Sequence, residues 1–234
     1  MQIFVINLNT APERLANMRR QLGGAFERIE AVRGLDLPAR FANDFASAKG
    51  LGPGEIGCYA SHLVAAEAVV SRGLPYAVIL EDDAELAPGF FAIVEDGVRK
   101  LQEWDVICLS GAKQHPHASL APIVYGRHLV RYAHLPKTTA AYLLSQRGSR
   151  KLLKPKPRYR PIDVDIRYSW EMDLDGYGIF PPLAHQSHAY PSSIPKASRQ
   201  RFYWRKDPLG YLIGRAAGVY KLGLLKYLRA LAVR

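Results

Sequence analysis

Three acidic side chains follow one another directly after an apolar run. The segment VILEDDAEL (78–86) leads straight into Glu81, Asp82 and Asp83. Adjacent carboxylates disfavour one another's ionisation unless a cation or a set of hydrogen-bond donors lies among them. Mg²⁺ and Mn²⁺ take carboxylate oxygens as ligands, and they need few of them where substrate phosphates complete the coordination. The cluster therefore indicates either a divalent-cation site or an acidic turn at a helix N-terminus, and these residues alone leave both open.

A glycine-rich segment, GPGEIGCYASH (52–62), stands about twenty residues before the acids. Its three glycines surround Glu55 and predict a tight backbone path into a helix, with Ser61 and His62 about one turn inside it. Alone, the segment is typical of a loop, a helix cap and a surface histidine. Beside an acidic cluster at a strand end, where ligands bind in open parallel sheets, it indicates the wall of a ligand cleft.

The first half of the chain alternates between strand and helix patterns. Short β-branched and apolar runs predict strands, and apolar residues at helical spacing predict the helices between them. Thr10, followed three residues later by Glu13, matches a capping box, so the first helix is predicted to begin near Ala11. The predicted strands are 3–8, 26–32, 76–81 and 104–110, and the predicted helices are 11–22, 56–71 and one from about residue 88. This alternation predicts an α/β fold with a mostly parallel sheet covered by helices on both faces.

The second half of the chain is less regular. Residues 123–126 and 128–132 are predicted to form a hairpin, and 138–145 a strand. Ser145 is placed to cap the short helix that follows this strand. Residues 162–176 are predicted to be helical.

The composition predicts a packed core and argues against disorder, since the 234 residues are 48% hydrophobic and 23% charged. The opening MQIFVINLN (1–9) alternates like a strand and has no basic leader before a long apolar run, so no signal peptide is expected. No apolar run is long enough to span a bilayer. Cys58 and Cys108 match no metal-ligand spacing, and two free thiols predict a reducing, cytoplasmic compartment.

Positive charge is concentrated towards the end of the sequence. The net charge is +11, and residues 196–234 contain ten Lys and Arg but a single acid, whereas residues 1–195 carry a net +2. We therefore divide the chain into a domain, 1–195, and a basic tail, 196–234. Within 209–234, apolar residues recur at helical spacing with basic residues broadly opposite, as in helices that lie on anionic membranes. The apolar positions are Ile213, Ala217, Tyr220, Leu224, Tyr227, Leu228 and Leu231. A terminal helix packed on the domain is the alternative.

The acidic and glycine-rich segments belong to a longer pattern. GEIGCYASH followed by VILEDD resembles the signature of the bacterial lipooligosaccharide glycosyltransferases of family 25, relatives of the collagen galactosyltransferases. The segments INLNTAPERLANM, TTAAYLLSQRGSRKLL, PIDVD and FPPLAHQSH resemble further parts of that family, in the family's order. The resemblance spans about residues 1–195.

The resemblance implies a GT-A-like domain that transfers a hexose, galactose rather than glucose, from a UDP-sugar with inversion, using Mn²⁺ or Mg²⁺. An inverting transfer also needs a base that removes the proton of the acceptor hydroxyl. Candidates for this base, in order of preference, are Asp163, Asp165 and Glu55. Candidates for the metal ligands are Asp83, Glu81 and His185. Residues implied at the nucleotide sugar are Ile6, Asn7, Leu8, Arg14, Ser61, His62, Glu81 and Asp82.

The family also implies the acceptor, a lipid-linked saccharide of lipooligosaccharide or lipopolysaccharide. The tail would then hold the protein peripherally on the inner face of the bacterial inner membrane. A protein that binds nucleic acid or another polyanion would explain the charge, but its basic and aromatic residues would be interleaved on a sheet face. Here the charge lies in one terminal segment, so no nucleic-acid partner is expected. A non-catalytic scaffold of the same fold is the remaining alternative, and the intact acidic, glycine-rich and PID segments argue against it.

Overall fold

An eight-stranded sheet lies at the centre of the computed structural model, which describes residues 1–111, 117–187, 189–190 and 208–224. The strands are β1 (Gln2–Asn7), β2 (Glu27–Glu30), β3 (Tyr76–Glu81), β4 (Ala84–Leu86), β5 (Val106–Cys108), β6 (His117–Ile123), β7 (Arg127–Tyr132), β8 (Ala141–Ser145), β9 (Gly176–Phe180) and β10 (Ala184–Gln186). The helices are α1 (Pro12–Leu22), α2 (Ala42–Phe45), α3 (Pro53–Ser71), α4 (Phe90–Arg99), α5 (Gln146–Leu152), α6 (Ile162–Arg167) and α7 (Pro208–Leu222).

The strand order in the large sheet is β2-β1-β3-β8-β5-β9-β7-β6. Strands β2, β1, β3, β5, β9 and β6 run in one direction, and β8 and β7 run in the other. The predicted α/β fold with a mostly parallel sheet is therefore confirmed. The central strand β8 is an exception, because it runs antiparallel to both of its neighbours, β3 and β5. Strands β6 and β7 form the predicted hairpin, but its first strand covers residues 117–123, and residues 124–126, predicted as part of that strand, form the turn. Strand β4 pairs with β10 in a small separate sheet.

Helices cover both faces of the large sheet because the side chains of its strands alternate between the faces. In β1, Ile3 and Val5 pack into one core with Met18 of α1. Phe4 and Ile6 point to the opposite face and pack into a second core with α3. Strand β1 is thus buried on both sides, as expected for a central strand of a parallel region.

Several element boundaries differ from the predictions. Helix α1 begins at Pro12 with Ala11 as its N-cap and no side-chain cap hydrogen bond, so the predicted capping box of Thr10 and Glu13 is wrong. The Ala11 N–H instead donates to the Leu8 carbonyl in a tight turn, and the proline supplies the fixed φ of the first helical turn. The predicted helix over 162–176 is shorter, because α6 ends at Arg167. A 3₁₀ turn follows at Ser169–Met172 and ends at Asp173, which adopts a left-handed φ of 51°.

Helix α7 packs onto the domain with Gly214 against Trp170. A Cβ at Gly214 would lie 2.4 Å from Cη2 of Trp170, so only glycine permits this approach. Leu222 is buried beside Ala133 at the end of the helix. The opposite side of α7 exposes the apolar residues Leu209, Leu212, Ile213 and Tyr220, and Leu224, just after the helix, is exposed as well. Residues 208–222 therefore form the packed terminal helix that the sequence offered as one alternative, and contact of the exposed side with a membrane stays a prediction.

Within the described ranges, no helix combines the length and apolarity needed to cross a membrane. Residues 191–207 and 225–234, which hold most of the predicted basic tail and its apolar positions Tyr227, Leu228 and Leu231, lie outside the described part of the chain. The boundary between residues 195 and 196 stays a prediction.

Candidate functional site

A cavity of about 310 Å³ opens at the carboxyl ends of β1 and β3, against the first half of α3. This first cavity is lined by the predicted residues Ile6, Leu8, Arg14, Ser61 and His62, and by the three consecutive acids. Parallel strands bring their carboxyl ends to one edge of a sheet, which explains why segments distant in sequence meet there. The predicted cleft is therefore present, and it gathers most of the predicted nucleotide-sugar residues.

A second cavity, of about 390 Å³, adjoins the first and contains Glu55, Lys137 and Asp163. Cys58, Glu81 and Gln186 line both cavities and so form their common boundary. A third cavity beside the second is lined in part by Lys137, Gln186 and His185. The three cavities together form a groove with an acidic centre.

Asp82 is buried and both of its carboxylate oxygens are occupied. The Asn7 amide donates to Oδ2 at 2.7 Å, and Arg14 donates to Oδ1 at 3.0 Å. Asn7 is itself held by Arg28, whose Nε donates to the Asn7 side-chain oxygen at 3.0 Å. Asp82 therefore holds Asn7 and Arg14 in place at the edge of the first cavity, and its charge is compensated by protein groups.

Asp83 is buried but incompletely compensated. Gln186 donates to its Oδ2 at 2.8 Å, while no hydrogen-bond partner reaches its Oδ1 from the described residues. Burial and the charges of Glu81 and Asp82 raise the pKa of Asp83 to about 6, against the smaller opposing effects of Gln186 and Arg14. Of the three acids, Asp83 is thus the one whose ionised form a bound cation would stabilise most.

Glu81 faces a different set of partners. Thr139 donates to its Oε1 at 2.6 Å, and the same oxygen lies 3.5 Å from Nε2 of His62. Burial raises the pKa of Glu81, but His62, Thr139 and Arg14 together outweigh burial and lower it. Glu81 is therefore the ionised acid at the boundary of the two cavities.

Ser61 and Glu55, two predicted site residues of α3, form hydrogen bonds that stabilise the helix and its surroundings. The Ser61 hydroxyl accepts from the Val32 N–H at 2.8 Å and donates to the Gly57 carbonyl at 2.7 Å, which fixes one wall of the first cavity. The Glu55 carboxylate accepts from the Gly52 N–H at 2.8 Å at the start of α3. Glu55 thus stabilises its own helix N-terminus while it lines the second cavity.

Asp163 and Asp165 lie two residues apart on α6 in very different surroundings. Asp163 lines the second cavity, and burial raises its pKa, partly offset by Lys137. Asp165 is only 2% exposed and accepts from Tyr59 at 2.6 Å and from Lys156 at 3.0 Å, with Arg160 as a further ion-pair partner. Asp163 is therefore placed to act on a ligand, and Asp165 to hold α6 against α3.

His185, a predicted metal ligand, points away from the acidic cluster. Its Nε2 lies 2.8 Å from Glu85 on the neighbouring strand β4, and the side chain is largely exposed. The adjacent Gln186 is the residue of β10 that reaches Asp83. Gln186 and Thr139 were not predicted as site residues. Neither carries a charge, and their contacts with Asp83 and Glu81 depend on how β10 and β8 pair with other strands.

Comparisons with known proteins find similarity to glycosyltransferases. The model of "Glycosyltransferase family 25 (LPS biosynthesis protein)" matches residues 1–167. A mouse protein named inactive glycosyltransferase 25 family member 3 is 30% identical over 220 residues, which cover 80% of this chain and 37% of the relative. A Xenopus laevis protein named procollagen galactosyltransferase 1-B is 27% identical over 182 residues, which cover 70% of this chain and 30% of the relative. The chain thus spans well under half the length of these relatives.

Among solved structures, that of A197 from STIV superposes with a TM-score of 0.46 and 11% sequence identity, over 82% of this chain and 87% of the other. This likeness is too weak to support an argument about fold or function.

Proposed function

The chain belongs to glycosyltransferase family 25, and we propose that it is a metal-dependent, inverting GT-A-type enzyme that transfers a hexose from a UDP-sugar to a saccharide acceptor. One observation carries the proposal: two adjoining cavities meet at Glu81, with the incompletely compensated Asp83 in the first and Asp163 in the second. A transferase needs this arrangement, since donor and acceptor must meet at one point. The name of the Xenopus relative supports galactose over glucose.

We place the donor in the first cavity. Ile6 and Leu8 provide an apolar wall, and Arg14, oriented by Asp82, adds a positive charge for a diphosphate. Asp83, with Glu81 beside it, fits a hard divalent cation, because a buried carboxylate oxygen without a partner is the ligand that Mn²⁺ or Mg²⁺ prefers. When bound, such a cation neutralises the charge that develops on the leaving diphosphate.

We assign the base to Asp163 in the second cavity. In an inverting transfer the acceptor oxygen forms a bond to the anomeric carbon while the bond from that carbon to the diphosphate breaks. The Asp163 carboxylate takes the proton of the acceptor hydroxyl. Its pKa is raised by burial, which makes it a better base than an exposed aspartate.

We further propose that the acceptor is a lipid-linked saccharide of lipopolysaccharide and that α7 holds the protein on the inner face of the bacterial inner membrane. The description of the family as an LPS biosynthesis protein supports this acceptor. The exposed apolar face of α7, with Leu209 67% and Tyr220 91% exposed, supports a membrane contact. The ten basic residues of 196–234 would favour anionic lipid.

Vesicle binding tests the membrane contact. The full chain is expected to sediment with vesicles that contain anionic lipid and to remain in solution with neutral ones. Replacing both Leu212 and Tyr220 by Ser should reduce this binding, whereas Leu120→Ser, an exposed apolar residue of β6, should leave it unchanged. Equal binding by both variants would contradict a role for α7.

Release of UDP tests the transfer. The protein is incubated with UDP-galactose or UDP-glucose, with saccharide acceptors, and with Mn²⁺ or EDTA. We expect metal-dependent release from one donor, abolished by Asp83→Ala and retained by Glu95→Ala, an exposed acid of α4. The mouse relative is named inactive, which supports one alternative, that this chain is a non-catalytic member of the family. Binding of a UDP-sugar without release of UDP, with every acceptor and metal tried, would favour that alternative instead.

A further inference from the structure

Three potential metal ligands of unlike chemistry meet at the boundary of the two cavities. The Cys58 sulfur, a His62 ring nitrogen and a Glu81 oxygen all lie within 4.8 Å of one another. Cys58 and His62 stand four residues apart on α3, so they share one face of that helix. Glu81 meets them from the end of β3. From this cluster we propose a second cation site, for a borderline divalent cation such as Zn²⁺, separate from Asp83.

The state of His62 points to a ligand. His62 is fully buried, and its Nε2 has no hydrogen-bond partner among the described residues. Its Nδ1 lies 2.9 Å from the Tyr142 hydroxyl. Without a metal, a proton on Nε2 faces the Glu81 oxygen 3.5 Å away and lowers the pKa of Glu81. A metal ion that binds there would displace this proton, so that Nδ1–H donates to Tyr142 and the Nε2 lone pair and the Glu81 oxygen both face the ion. Two acceptors that face each other in a buried site are stabilised by a cation between them.

The groups around the three ligands match those of metal sites. A histidine ligand normally has its second ring nitrogen in a hydrogen bond, as His62 has with Tyr142, and a carboxylate ligand is normally hydrogen-bonded as well, as Glu81 is with Thr139 at 2.6 Å. Sulfur, imidazole and carboxylate together suit Zn²⁺ rather than Mg²⁺ or Mn²⁺.

The cluster offers three protein ligands and leaves one position of a tetrahedral ion open. Cys58 and Glu81 line both cavities, so that open position faces the junction where the proposed donor and acceptor would meet. A ligand such as water or a hydroxyl group can enter there. The inference does not depend on sugar transfer, because it concerns only the affinity of the three side chains for the ion.

Cobalt binding tests the site without an activity assay. The whole 234-residue chain is freed of metal with a chelator and titrated with Co²⁺, whose visible and near-ultraviolet spectrum reports tetrahedral geometry and thiolate ligation. We expect about one thiolate-ligated Co²⁺ per chain, seen as tetrahedral bands with a thiolate charge-transfer band, and its displacement by Zn²⁺. Cys58→Ser should remove the charge-transfer band, and Tyr142→Phe, which keeps all three ligands, should weaken Zn²⁺ binding by about 10- to 100-fold.

Two variants serve as controls. Cys108→Ser removes the other thiol, which is buried in β5, and Asp83→Asn removes the proposed Mn²⁺ or Mg²⁺ ligand; both should keep the cobalt spectrum of the unaltered protein. Thermal unfolding without metal verifies that each variant is folded. An octahedral spectrum without a charge-transfer band, or a band that persists in Cys58→Ser, would overturn the proposal. Loss of the band in Cys108→Ser instead would overturn it equally.

Discussion

The Tyr59 hydroxyl donates a hydrogen bond of 2.6 Å to Oδ2 of Asp165, across 106 residues of sequence. This contact joins α3, which lines both cavities, to α6, which carries Asp163. Arg158 donates to the same Tyr59 hydroxyl, and Arg160 pairs with the other oxygen of Asp165. The position of the proposed base therefore depends on a buried network of charged groups outside the cavities.

Replacing Asp165 by Asn should destabilise the protein strongly. The change removes the carboxylate that pairs with Lys156 and Arg160 in a buried site and leaves Arg160 only its second partner, Glu171. Breaking a buried ion pair typically costs about 3–5 kcal/mol. Urea unfolding measures the change. Asp163→Asn, in the same helix but facing the second cavity, is the control and should cost less than about 1 kcal/mol. Equal stability of the two variants would contradict the division of roles between these acids.

Asp163→Asn should abolish catalysis and spare donor binding. Loss of a general base typically lowers kcat by about 10²- to 10⁴-fold. The pKa of Asp163 is raised by burial, so the rate of the unaltered enzyme should fall, as pH decreases, at a pH above the usual aspartate range. Initial rates from pH 4 to 8, with donor affinity measured separately, provide the test. A variant with normal kcat would require another base, with Glu55 the next choice.

Asp83 should make stability depend on pH in the absence of divalent cations. Its pKa is raised to about 6 from a usual 3.8, mainly by burial and then by Glu81. Because the folded state disfavours the ionised form, this residue lowers stability as pH rises from about 4 to about 6, by about 3 kcal/mol in all. The difference in unfolding free energy between the unaltered protein and Asp83→Asn, measured with EDTA across this range, should follow that course. A constant difference would show that Asp83 is not perturbed.

Gln186 should support cation binding more than its neighbour His185. Gln186→Ala removes the donor to Asp83, so the pKa of Asp83 should rise further, and the Mn²⁺ concentration needed for half-maximal activity should rise several-fold near pH 6. His185→Ala should change that concentration less, because His185 pairs with Glu85. A larger effect of His185→Ala would establish the predicted role of His185 as a metal ligand.

Gly57→Ala should be poorly tolerated although it lies in a helix. A Cβ at Gly57 would lie 2.4 Å from the Val32 carbonyl oxygen, so α3 would move away from the wall of the first cavity. We expect a loss of about 1–3 kcal/mol and weaker donor binding. In Gly97→Ala of α4, the new Cβ would lie 3.1 Å from the end of the Ile179 side chain and 3.9 Å from Ile123, both of them apolar side chains, so this change should cost little or stabilise the helix. Unfolding and UDP-sugar titrations of both variants provide the comparison.

The sequence determined the features that depend on local patterns. Alternating apolar runs predicted the first strands and helices, and the order of the VILEDD, GEIGC and PID segments indicated the family. The acids at the end of β3 were predicted to face a cleft because a strand end and a helix start are both visible in a short stretch of sequence. The tight contact of Gly214 in α7 with Trp170 could not be predicted, since it is not a local property.

Only the tertiary structure shows which of the acids are compensated by protein groups. Asp82 and Asp83 are adjacent, yet Arg14, 68 residues away from Asp82, compensates the first, and an oxygen of the second remains without a partner among the described residues. Asp163 and Asp165 differ in the same way, because Tyr59 reaches only Asp165. The charge on a carboxylate depends on its burial and its nearest partners. Distant strands and helices supply those partners, and their pairing cannot be read from neighbouring residues.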